Sequence, residues 1–173
     1  MQVKQDSIEP LYSFIRFLVK VCAVSVRNTG MFDSIKHWFD SLGQQGRLFE
    51  HSDDELLHSA LASVLYHIIS AEHVDARKKH EFKRILQQEF DLEDEQVAHL
   101  YRAARATSAD VHADLHTLNF YLKPNPAIRM TFMRNLLQLI DVEGVHPREL
   151  ELFYEALHEV FPEVKDINSE EDL

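Results

Sequence analysis

Toward its C-terminal end the chain reads Leu139-Ile140-Asp141-Val142-Glu143-Gly144-Val145-His146-Pro147-Arg148-Glu149, so that an acidic helix end, a glycine turn and a second acidic helix start follow in succession. Gly144 allows the positive φ that a tight turn between helices demands, and Pro147 suits the first position of the next helix. A worn copy lies earlier, at Ile69-Ser70-Ala71-Glu72-His73-Val74-Asp75-Ala76-Arg77-Lys78. Glu72, Val74 and Arg77 line up with Glu143, Val145 and Arg148, and Lys78 falls where Glu149 stands. The pattern predicts two related helix-turn-helix units about seventy residues apart.

What joins these units follows from composition. Only four Gly and five Pro occur in 173 residues, too few for the turns of a sandwich, a barrel or a Gly-cradled nucleotide site. With 45% hydrophobic residues the chain can bury one sizeable core, so a single all-α domain is expected. The formal charge of −11 is uneven: residues 1–50 carry 6 basic and 5 acidic groups, and residues 51–173 carry 12 and 24. Such a surface repels a phosphate backbone, which argues against nucleic acid and leaves basic proteins, basic peptides and metal cations as partners. One cysteine, Cys22, excludes an intramolecular disulfide and a Cys-rich zinc site. The start, Met1-Gln2-Val3-Lys4-Gln5-Asp6, lacks the features of a secretory signal. The apolar stretch from Leu11 to Val26 is interrupted by Arg16 and Lys20 and is shorter than the roughly 20 residues that span a bilayer. A soluble cytoplasmic protein without membrane association is therefore the expectation.

Helical spacing of apolar residues runs almost the whole length. Ile8, Leu11, Phe14, Ile15, Leu18, Val19 and Cys22 mark a first helix, and Phe32, Ile35, Trp38, Phe39 and Leu42 a second that stops at Gly43. Ser52-Asp53-Asp54-Glu55 has capping-box spacing from Ser52 to Glu55 and opens a helix bearing Leu56, Leu57, Leu61, Val64, Leu65, Ile68 and Ile69, a stripe wide enough for the centre of a bundle. Further helices are predicted near residues 76–90, around Val97 to Ala104, from a Ser108 cap to Leu122, from an Asn125 cap with Pro126 at the first position, and from Pro147 to a stop at Pro162. Seven to eight helices result. They divide into an N-terminal helical hairpin (1–50), a bundle (51–164) and a short acidic tail (165–173).

The run Leu86-Gln87-Gln88-Glu89-Phe90-Asp91-Leu92-Glu93-Asp94-Glu95, then Asp114-Leu115-His116, Arg129 through Leu137, and Asp141 through Glu149 resembles the TerB-like family, the helical bundle of tellurite-resistance B and DnaJ-like N-terminal domains. The resemblance covers about residues 52–164. It implies a bundle built from two helix pairs, each with an Ala-Asp-Gly-type turn followed by a Glu about six residues later, whose acids are proposed to hold a divalent cation. Here Glu143 stands for the Asp, Gly144 is kept and Glu149 is the later Glu; in the first turn Glu72 stands for the Asp, His73 replaces the Gly and Lys78 replaces the Glu. The resemblance implies a non-enzymatic interaction module of a stress-response (tellurite-resistance) or envelope-associated complex.

Two groups of residues have ligand chemistry. Asp141, Glu143 and Glu149 could offer oxygens to Ca²⁺ or Mg²⁺, although three carboxylates fall short of the ~6–8 oxygens calcium takes. Equally, Gly144 serves only the turn and Glu149 only the helix dipole. His112 and His116 are i, i+4 neighbours that could share Zn²⁺ or Ni²⁺, with Asp110 and Asp114 nearby, or be solvated histidines on an acidic face. The rest of such a site, from His58, His67 or His99, has no place assigned by sequence. The eleven histidines favour adventitious zinc or nickel; no cofactor is required. Arg77-Lys78-Lys79 with Lys83-Arg84 reads as a solvated basic face paired with Glu81 or other acids, or as a contact for nucleic acid or acidic lipid. Phe14, Phe17, Phe32, Trp38 and Phe39 either pack on the bundle or leave an apolar surface for a second copy, a protein partner or a membrane. No Gly-rich phosphate loop, Gly-x-Ser-x-Gly elbow or Cys nucleophile occurs, so an enzyme is not expected. Three functions stay open: an interaction module, a cation-binding sensor or sequestering protein, and a hydrolase with an unrecognised site.

Overall fold

The computed structural model of the protein describes residues 53–108 and 110–162. The N-terminal hairpin, Ser52 and the acidic tail predicted above lie outside the described residues. Within them the order is α1 (Glu55–Ser70), α2 (Ala76–Phe90), α3 (Asp94–Ala106), α4 (Val111–Leu122), α5 (Pro126–Asp141) and α6 (Pro147–Val160), with no strand among the described residues. None of these helices is long and apolar enough to cross a membrane.

The breadth of each apolar stripe decides where its helix sits. On α1, Leu57, Leu61, Val64, Leu65, Ile68 and Ile69 are buried over more than one face, and the helix touches all the others. A helix apolar on most sides must be surrounded to remove that surface from water. Met130, Phe132, Met133, Leu136, Leu137, Leu139 and Ile140 give α5 the same character, and it packs against α1, α2, α4 and α6. At the other extreme, α3 fully buries only Val97 and Ala104. Half-buried Tyr101 adds to its hold on the bundle, its ring meeting Phe82 of α2 and Tyr66 of α1 edge-on, at 5.4 Å between centroids in each case.

The breaks between helices follow turn chemistry. Asn125 caps α5 and Pro126 takes its first position as expected, and Gly144 has a φ of 92°. A Cβ built at Gly144 meets nothing within 4 Å, so glycine is needed there for its backbone freedom and not for space. Asp91 ends α2 in the left-handed region at a φ of 58°. Two caps differ from the sequence expectation. Asp54, not Ser52, precedes α1 and accepts from the backbone N–H groups of Leu56 at 3.0 Å and Leu57 at 3.4 Å; Asp110, not Ser108, does the same for His112 at 3.0 Å. Ser and Asp cap about equally well, so position and not propensity chose between them. Leu56, predicted to be buried, is 61% exposed because the first turn of α1 points Leu57 inward in its place.

Candidate functional site

The two turns singled out in the sequence meet at one edge of the bundle. Each is followed by a helix whose first turn carries charge: Ala76-Arg77-Lys78 opens α2 and Pro147-Arg148-Glu149 opens α6. Lys78 Nζ donates to Glu149 Oε1, and this ion pair is sealed from solvent, with side-chain exposures of 2% and 0%. Glu149 Oε2 is also buried and has no hydrogen-bond partner. A second link joins the same turns closer to the surface, where Arg77 Nε lies 3.7 Å from Glu143 Oε1. Asp75, the N-cap of α2, accepts from Arg77 N–H at 2.5 Å. The Arg77 amide is the main reason its carboxyl sits below the usual range; desolvation opposes this, and the Arg77 charge and the Lys78 amide reinforce it.

The acids predicted as cation ligands are thus divided. Glu149 faces Lys78, Glu143 faces Arg77, and Asp141 closes α5. The burial of Lys78 also departs from the solvated basic face expected for its run. Its neighbours follow that expectation more nearly: Lys79 lies 5.8 Å above the Tyr101 ring, Lys83 pairs with Asp94 at 2.8 Å, and Arg84 pairs with Glu81 at 2.5 Å.

His112 and His116 project from the outer face of α4 toward α6. His116 Nδ1 is 3.4 Å from Glu159 Oε1 and His112 Nε2 is 4.0 Å from Glu155 Oε2, so each imidazole has its own glutamate one helical turn apart. Among the described residues no three His, Cys, Asp or Glu side chains gather closely enough to hold a metal ion. The His58 ring meets that of Phe90 at 4.2 Å, tilted by 50°, and His58 shares with His99 the lining of an open groove of about 700 Å³ between the start of α1 and α3, with Glu55, Glu95 and Arg102.

Comparison with family models, curated proteins and solved structures gives no match. The TerB-like resemblance accordingly rests on the residues that carry it.

A further polar contact had no signal in the sequence. Tyr121, near the end of α4, donates its hydroxyl to Asp54 Oδ2 at 2.5 Å and so ties that end of α4 to the start of α1. This bond is the largest cause of the lowered pKa of Asp54, with the Leu57 and Leu56 amides and His58 acting in the same direction against desolvation. The phenol of Tyr121 is raised for the same reason. A carboxyl whose folded pKa lies below its unfolded value, here near 3.8, stabilises the fold above that value and loses the contribution as pH falls through the folded pKa. Tyr121→Phe will therefore move the Asp54 titration upward toward the ordinary value and shift the onset of acid unfolding to higher pH. Carboxyl-carbon NMR titration of both forms checks this, and an unmoved Asp54 would show that the hydroxyl bond is absent in solution.

Proposed function

We propose that the chain is a non-enzymatic, TerB-like helical interaction module whose contact surface surrounds the Asp54–Tyr121 bond. The observation that carries this reading is the exposure of Leu56 (61%) and Phe120 (77%), the large hydrophobic residues left in solvent among the described ones. They are far apart in sequence, yet they lie beside the two residues that the bond joins. Leu56 N–H is held by Asp54, and the Phe120 ring meets that of Tyr121 at 5.6 Å. Leaving such side chains in water forgoes the stabilisation of burying them, and a protein surface that covers them recovers it. The −11 net charge favours a partner with a basic rim. A second copy of the chain is another possible occupant, and the N-terminal aromatic helices predicted from the sequence are a third.

The double variant Leu56→Glu/Phe120→Glu in the full chain tests this reading. Both positions already face solvent, so the melting temperature should stay within a few degrees of wild type. Partner capture from native extract, quantified after cross-linking, should fall by about tenfold or more, as loss of central apolar anchors does. Light scattering of both forms tells a homodimer from a foreign partner. Capture that is unchanged in a well-folded double variant would rule out this surface.

A further inference from the structure

The offset that relates the two turns also relates the members of the buried pair. Lys78 and Glu149 are 71 residues apart, the separation that carries Glu72 onto Glu143, Val74 onto Val145 and Arg77 onto Arg148. Each is the third residue of the helix that follows its turn. Equivalent positions of two repeats touch where the repeats face each other across their common axis, so a residue there confronts its own counterpart. With glutamate in both copies, two carboxylates would meet in the interior, where like charges need a shared proton or a cation between them.

This chain has a lysine in one copy. We infer that Lys78 is a built-in cation: its ammonium takes the place that a divalent ion would need between the turns, and the contact between the two repeats is made without metal. The donor set agrees. Glu149 Oε1 is engaged by Lys78, Glu143 is engaged by Arg77, and Glu149 Oε2 is the one buried carboxylate oxygen of the pair without a hydrogen-bond partner. A single such oxygen is far from the ~6–8 that calcium takes or the octahedron that magnesium requires. Arg77 and Lys78 already lie against Glu143 and Glu149, so a dication would have to enter beside an ammonium already seated there. The resemblance noted above implies a cation at these turns; the residues present supply their own.

Exchange of the charge tests this in the full chain, prepared without a histidine tag. Wild type should melt at the same temperature in chelator as in millimolar Ca²⁺, Mg²⁺ or Mn²⁺. Lys78→Glu should melt lower in chelator and regain stability as the ion is added, with at least about tenfold tighter Mn²⁺ binding than wild type, because added carboxylates set affinity in such sites. Adding Glu149→Gln to that variant should abolish the response. A folded Lys78→Glu protein that ignores all three ions would overturn the inference. Direct Mn²⁺ titration of wild type, followed by electron paramagnetic resonance, decides the matter even where Lys78→Glu does not fold: absence of binding supports a built-in cation, and Mn²⁺ that is bound by wild type and released by Glu149→Gln refutes it.

Discussion

Lys78→Met will lower the stability of the protein by about 3–5 kcal/mol, the range for removing one member of a buried ion pair. The cost comes from what remains. Glu149 is fully buried, and its Oε1 would lose the ammonium while Oε2 has no hydrogen-bond partner to begin with. Arg77 offers no replacement, because it reaches toward Glu143 with a side chain that is 74% exposed. The double variant Lys78→Met/Glu149→Leu should lie within about 1–2 kcal/mol of wild type on either side, since an apolar pair of similar volume needs no desolvation of charge. Arg77→Ala should cost at most about 1 kcal/mol, as surface pairs do. Urea unfolding of all four proteins gives the comparison. A single variant as mild as the double one would mean that the pair is open to water in solution and that the lock between the turns lies elsewhere.

That pair also marks how far the sequence could be read. The bounds of α2, α5 and α6 follow from the spacing of apolar residues and from Asn125, Pro126 and Pro147, because these signals are local. The match of Glu72, Val74 and Arg77 to Glu143, Val145 and Arg148 is a sequence reading, and the glycine of the second turn has the positive φ its position demands. Lys78 was not legible. A lysine between Arg77 and Lys79 looks like part of a solvated face, and only a partner 71 residues away makes burial tolerable. The caps failed for a smaller reason: Ser52 and Ser108 each precede an aspartate by two residues, and propensity alone does not rank them. Tyr121 and Asp54, and the glutamates opposite His112 and His116, depend on which helices become neighbours, and that is decided by the core. Apart from the caps, the missed contacts are polar ones between distant segments, whereas apolar periodicity reported on each segment by itself, with Leu56 the exception.

The core makes its own prediction at the helix that buries the fewest side chains. Phe82→Ala will cost about 3–5 kcal/mol, the sum of lost apolar burial and the cavity left behind. Phe82 is a fully buried side chain of α2, and its ring is what Tyr101 of α3 meets edge-on. Because α3 buries only Val97 and Ala104, the loss falls on a helix with few buried side chains to share it. Tyr66 still faces Tyr101 from α1, but the ring it holds would then border a void. Amide exchange should therefore speed up in α3 well beyond the uniform change that global destabilisation produces, while α1 and α5 keep the slowest exchange. Phe82→Leu, which restores most of the volume without the aromatic edge, should cost less than half as much and leave α3 largely protected. Equal loss of protection in α3 and α5, at matched global stability, would mean that α3 folds as one unit with the core. Its sparse burial would then be offset by contacts other than the Phe82–Tyr101–Tyr66 chain.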